Sequence, residues 1–309
     1  MARRRKAEVR PPGITCLVAA VCGCWVSASA AQQPTPDIAT LLTRVGQRVV
    51  DYYHRAQSLV CLEKSMVQPI DSSWSSQGFS RSVESELRVE SEAADGEQLP
   101  EAKLVRDIRR INGRAPRESD KTDRNACTDP NPLSPEPLAF LLPSHRDQYK
   151  FTAVHEGKEK DTAVFVMDFV STDRKSKLEL IEDEAGHDDC FDWRGPIATR
   201  GRVWIDAQSF EVIRVDERID GPIEVRVPWP LQRRYLLPQW LTLERNDQTI
   251  RYKPVTFSNP DEVMLLPESI ESLVVMRGGL QSTRRSQRFS DYRRFLTGSR
   301  IVTTRIQNP

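Results

Sequence analysis

The 309 residues are 38% hydrophobic and 29% charged with a net charge of +1, the balance of a globular chain long enough to bury a sizeable core. Met1–Ala31 carries +4 of that charge (Arg3, Arg4, Arg5, Lys6 and Arg10 against Glu8), which leaves −3 for the rest. A mildly acidic body argues against a general nucleic-acid binder.

The first segment has the layout of a signal peptide. A basic start precedes an apolar run, Ile14–Val26, and then Ala28-Ser29-Ala30-Ala31, small residues that suit cleavage after Ala30 or Ala31. The run is shorter than the roughly 20 residues that span a bilayer. The expectation is therefore removal of 1–31, export to the periplasm or beyond, and a short linker at 32–36. Val21-Cys22-Gly23-Cys24 loosely resembles a lipoprotein signal that would leave Cys24 acylated, but Trp25 and Val26 just after it argue against this. Cys61, Cys127 and Cys190 then remain. An odd count in an oxidising compartment predicts one disulfide and one spare thiol. Cys127 and Cys190 sit in loop-like stretches and are the expected pair, with Cys61 buried in a strand.

Asp37 suits a helix N-cap, and Ile38, Leu41, Leu42, Val45, Val49, Tyr52 and Tyr53 recur at helical spacing up to about Ala56. That amphipathic helix must lay its stripe on a sheet face or over an apolar cavity. Strands are expected at Leu59–Val67, Ser80–Glu92 and Leu104–Ile111, the last ending in the turn dipeptide Asn112-Gly113. Arg114–Asn131 reads as a polar excursion, and Pro135–Tyr149 as a short apolar helix. Tyr149–Glu156 and Thr162–Ser171 form a hairpin whose second arm is apolar on both faces, so each face needs cover. Lys177–Trp193 reads as an acidic loop. Gly201–Asp216 is the clearest hairpin, with Val203 and Ile205 alternating with Arg202, Trp204 and Asp206. Pro222–Pro238 reads as a break. Gln239–Arg245, Ile250–Phe257, Glu268–Met276 and Gln281–Arg288 continue the strands. The arginines of Arg277–Pro309 are expected to face the acidic Ser80–Glu101 region, or else an anionic partner.

Chemistry is sparse. No metalloprotease helix, nucleophile elbow, Walker loop or dinucleotide glycine pattern occurs. His187, within Glu182–Cys190, has carboxylates and a thiol beside it as a transition-metal site would, but the spacing holds no rigid geometry, so a solvated loop is the expectation and neither metal nor cofactor is assigned. Glu63, Asp168, Asp206 and Asp216 fall on strands, where ion pairing outweighs acid–base catalysis. An enzyme would have its first candidate in the Glu182–Asp192 loop; no catalytic residue is assigned.

Taken together, the Gly201-Arg-Val-Trp-Ile-Asp and Val212-Ile-Arg-Val-Asp arms, Met264-Leu265-Leu266-Pro267-Glu268 before a strand, and Phe289-Ser290-Asp291-Tyr292-Arg293 near the end resemble LolA-like proteins. These include periplasmic lipoprotein carriers and lipoprotein-binding regulators. The resemblance covers Asp37–Ile301 and implies an α+β fold, mostly antiparallel: a curved sheet or incomplete β-barrel in one domain, 37–301, with helices over its concave side and a tail at 302–309. It also implies a non-enzymatic protein that binds a lipid or the acyl chains of a lipoprotein in an apolar cavity, peripheral to the membrane at most. Phe165, Met167, Trp204 and Leu243 are the candidate lining. Arg114–Asn131 and Pro222–Pro238 depart from the family pattern as insertions. The alternative is an envelope interaction or sensing module that uses a sheet edge and the arginine-rich end.

Overall fold

The computed structural model describes residues 35–56, 59–91, 102–121, 137–182, 190–258 and 261–294, all within the unit Thr35–Pro309. The leader, Cys127, residues 183–189 of the acidic loop with His187, and the tail lie outside the described residues. In chain order the elements are α1 (Ile38–Arg55), β1 (Leu59–Ile70), β2 (Arg81–Ser91), β3 (Ala102–Ile111), β4 (Tyr149–Glu159), β5 (Thr162–Ser171), β6 (Leu178–Glu182), β7 (Phe191–Arg194), β8 (Thr199–Asp206), β9 (Val212–Ile219), β10 (Ile223–Arg226), α2 (Trp229–Tyr235), β11 (Trp240–Ser258), β12 (Asp261–Arg277) and β13 (Ser282–Arg294).

The strands form one sheet in the order β3-β2-β1-β13-β12-β11-β9-β8-β5-β4, open at β3 and β4. All of these neighbours run antiparallel. The sheet forks at β11. Asp247–Arg251 pair with β9, while Trp240–Leu243 pair with β10, which continues in parallel to β6 and then to β7. Two apolar clusters follow from the fork. One gathers α1 with β5, β8, β9 and β11; the other gathers β6, β10, α2 and the opposite end of β11.

Local sequence explains most of this. Val203 and Ile205 are fully buried on β8 while Arg202, Trp204 and Asp206 take the other face. A bulge opposite Trp204 and Ile205 then puts Val212 and Val215 on the buried side together. Gly201 on β8 has to be glycine, since a Cβ there would stand 2.1 Å from the Asp216 carbonyl and 2.6 Å from the Phe169 ring. Of the arginines from Arg277 onward, Arg293 meets the acidic Ser80–Glu101 region, at Glu86 across 3.5 Å, while Arg277, Arg288 and Arg294 pair with Glu244, Glu271 and Glu262 instead.

Four expectations need correction. Pro135–Tyr149 holds no α-helix; its described residues make 3-10 turns at Ala139–Leu141 and Arg146–Gln148. Lys177–Trp193 contributes β6 and β7, because Leu178 and Leu180 are needed in the second cluster. Pro222–Pro238 contains β10 and α2, since its prolines stand at helix-start and linking positions, Pro228 being the N-cap residue of α2. Gln239–Arg245 and Ile250–Phe257 are one strand, β11. Asn246-Asp247 does not turn there, being held by ladders to β12 and, at Asp247, to β9.

Candidate functional site

The site is the apolar inner face of the sheet beneath α1. Asp37 caps that helix, accepting from the Thr40 amide at 3.0 Å, and this bond holds its carboxyl below the usual range. Leu41, Leu42, Val45, Val49 and Tyr53 form the buried stripe. Gly46 lets the helix approach the turn below it closely: a Cβ would meet the Arg146 guanidinium at 2.4 Å and the Leu141 carbonyl at 3.2 Å. Arg146 donates to the Leu42 carbonyl at 2.7 Å, and the Leu138 amide donates to the Tyr53 hydroxyl at 2.9 Å.

Polar contacts fasten the helix at its rims. Arg48 donates to the Ser209 carbonyl at 2.9 Å, and Arg44 lies 4.7 Å from the centre of the Phe210 ring, both in the β8–β9 turn. At the C-terminal end Arg55 pairs with Glu262 at 3.0 Å and donates to the Val263 carbonyl at 2.6 Å. The exposed members of such contacts contribute little each, so α1 is held mainly by its stripe.

Near the last turn of α1 four tyrosines share a buried cluster with Cys61, of which Tyr52 and Tyr292 stand nearest the thiol. Tyr52 packs edge-on to Tyr53 and Tyr252, with ring centres 5.3 and 6.5 Å apart. Tyr292 donates to the Pro267 carbonyl at 2.8 Å. Cys61 is free and buried; burial, then the nearby Glu63 charge, push its thiol up to about 12. Burial likewise raises Tyr52, Tyr252 and Tyr292. Further along β1, Glu63 is fully buried and accepts from Arg106 at 2.5 and 3.1 Å and from Gln287 at 2.8 Å. No motif announces these residues; they converge from α1, β1, β3, β11 and β13.

The closed roof leaves little room. A cavity of about 20 Å³ lies between Val49, Tyr52, Leu138, Val212 and Tyr252, enough for about one water and far below the several hundred Å³ of an ordinary ligand pocket. At this point between helix and sheet the gap among the described residues is far too small for an acyl chain. The four lining candidates are dispersed. Phe165 and Met167 share the roofed cluster, whereas Leu243 belongs to the second one. Trp204 faces outward, with Arg214 4.2 Å from its ring centre, in an open groove of about 820 Å³.

The strand carboxylates are engaged in pairs and turns, with Asp168 and Asp216 flanking Arg202 in the ladder. Asp168 pairs with Arg202 at 2.6 Å, Asp216 with Arg214 at 2.6 Å, and Asp206 accepts the Gln208 and Ser209 amides of its own turn. Among the described residues no three His, Cys, Asp or Glu are placed to hold a metal. Cys190 is disulfide-bonded, with its partner outside the described residues, so its pairing with Cys127 stays a proposal. No described helix is long and apolar enough to cross a membrane.

An open antiparallel sheet with one amphipathic helix along its inner face defines the class of fold. No family model matches the sequence and no curated protein does. Among solved structures the chain is similar to a DUF1329 family protein from Desulfovibrio piger, at TM-score 0.37 and 9% identity over 82% of this chain and 95% of that one. A LolA superfamily protein from Nitrosomonas europaea gives 0.32 and 10% over 82% and 94%. A putative outer membrane lipoprotein-sorting protein domain from Vibrio parahaemolyticus gives 0.29 and 12% over 82% and 93%. The LolA-like likeness is weak, and it carries nothing about ligands.

Proposed function

We propose that the protein is an exported, non-enzymatic carrier or sensor that takes an acyl chain, free or attached to a protein, between α1 and the inner face of the sheet. The observation behind this reading is the roof itself: an 18-residue helix lies over a continuous apolar face and closes on a cavity of about 20 Å³. Entry therefore requires α1 to move. An acyl chain then takes over contacts that the helix stripe gives up, so apolar surface stays covered. Phe165 and Met167 lie where such a chain would pass, with Tyr52 and Val49 on the roof side.

Removal of 1–31 after Ala30 or Ala31 places this exchange outside the cytoplasm, in line with a Cys127–Cys190 bridge. The test uses mature protein and a fluorescent polyene fatty acid. Saturable uptake of one molecule per chain, displaced by palmitate, is the expected result. Protein that takes up no fatty acid, and that emerges without lipid from cell envelopes in native mass spectrometry, overturns the reading.

A further inference from the structure

The inner face of the sheet is apolar beneath α1 and changes character one step further along the strands. Across β5, β8, β9 and β11 one row of facing residues is Met167, Val203, Val215 and Ile250, all of them buried. The next row on the same face, about 7 Å on, is Phe169, Gly201, Glu217 and Gln248. On β9 this sets Glu217 between Val215 of the first apolar cluster and Ile219 of the second.

Glu217 has polar company there. It hydrogen-bonds with the Thr199 hydroxyl, which also bonds the Tyr149 hydroxyl. The Thr199 amide donates to the Ser171 hydroxyl at 3.0 Å, and Gln248 stands directly across the ladder from Glu217. An apolar track thus ends at a group of hydrogen-bonding side chains. Among the described residues no cation belongs to that group. Arg200, Arg202 and Arg218 alternate onto the opposite face, and burial holds the Glu217 carboxyl above the usual carboxylate range. A second carboxylate placed beside it would be an unpaired charge out of water, whereas an uncharged oxygen would find donors and acceptors ready.

We infer that Glu217 and Thr199 receive the uncharged polar end of an acyl ligand, an ester or an alcohol, and disfavour the carboxylate of a free fatty acid. The inference rests on the acyl-chain reading above and deepens it by naming the chemistry of the ligand's polar end. The hydrocarbon lies along Phe165 and Met167 under α1, and the carbonyl or hydroxyl reaches the row of Glu217.

The experiment displaces the fluorescent polyene fatty acid from the mature protein at neutral pH, with palmitate or with monopalmitoylglycerol. Monopalmitoylglycerol should compete at roughly tenfold lower concentration than palmitate. Glu217→Leu and Thr199→Val put apolar atoms in place of the polar ones and should bring that ratio toward one. Comparing the ratio between variants cancels differences in lipid solubility. Equal competition by the two lipids in the wild type, or a preference for palmitate, overturns the inference. So does an unchanged ratio in the variants; melting curves identify a variant that fails to fold, and the wild-type ratio then decides alone. No uptake of the probe, with neither lipid retained in native mass spectrometry, overturns the acyl-chain reading itself and the inference with it.

Discussion

Two helices lie on this sheet, and they distribute their apolar side chains in opposite ways. α1 turns Leu41, Leu42, Val45 and Val49 inward and shows water only polar residues along its middle. α2 spends Leu231 on the core and displays Trp229 and, at its C-cap, Leu236. The first pattern is that of a helix packed down on a sheet along its whole apolar stripe. The second leaves bulky apolar side chains exposed. The comparison teaches that the apolar stripe of α1 contributes to the core, while Trp229 and Leu236 at α2 do not.

Substitutions sharpen that contrast. The largest effect is expected at Glu63, since Glu63→Ala removes the buried carboxylate that Arg106 and Gln287 bond; a stability loss of about 3–5 kcal/mol in urea denaturation is expected. Removing Arg233 on α2, which makes no such pair, should stay within about 0.5 kcal/mol. Next comes the stripe. Leu41→Ala empties a fully buried position and should cost about 2–5 kcal/mol, against about 0.5 kcal/mol or less for Leu236→Ala at the exposed cap. Equal losses at Leu41 and Leu236 would break the distinction between the two helices.

The thiol beneath the roof gives a pH effect of known sign. In the unfolded chain Cys61 ionises from about pH 8.5, whereas the folded protein holds it protonated up to about 12. The raised value contributes stability that is complete below pH 8.5 and is lost as pH climbs toward 12, by at most about 1.4 kcal/mol per pH unit. Urea midpoints at pH 7, 9 and 10.5 should fall in that order, with a smaller fall in Cys61→Ser. The smallest effect concerns the cap. Asp37, held low by the Thr40 amide, supports α1 above the ordinary carboxylate range and loses that role as pH falls through its depressed value. Hydrogen exchange of α1 should therefore quicken in Asp37→Ala at neutral pH, with no change in α2.

The contrast between the helices was unequally legible in the sequence. α1 carries its whole account locally, in a cap and a repeated apolar stripe, and so does the β8–β9 hairpin with Val203 and Ile205. α2 hides among Pro222, Pro228, Pro230 and Pro238, where chain-breaking residues outweigh a seven-residue helix. Gln239–Arg245 and Ile250–Phe257 read as separate strands, yet neighbours on β12 and β9 hold the residues between them extended, and only long-range pairing reveals that. The candidate lining was half legible. The unbroken apolar run of β5 marks Phe165 and Met167 as buried, but nothing local shows that β11 forks, so that Leu243 falls in the other cluster. Tyr52, Cys61, Glu63, Tyr252 and Gln287 meet from four separate elements, and each reads in isolation as ordinary strand or helix.

The central claim is that α1 lifts from the sheet without the sheet coming apart. Alkylation of Cys61 in the native protein, followed by peptide mass spectrometry, tests it most directly, because the thiol lies beneath Tyr52 and stays protonated while covered. The account predicts that Cys61 is modified faster than the whole chain unfolds, and faster again in Arg48→Ala/Arg55→Ala. Modification of Cys61 only at the global unfolding rate, in wild type and variant alike, contradicts it.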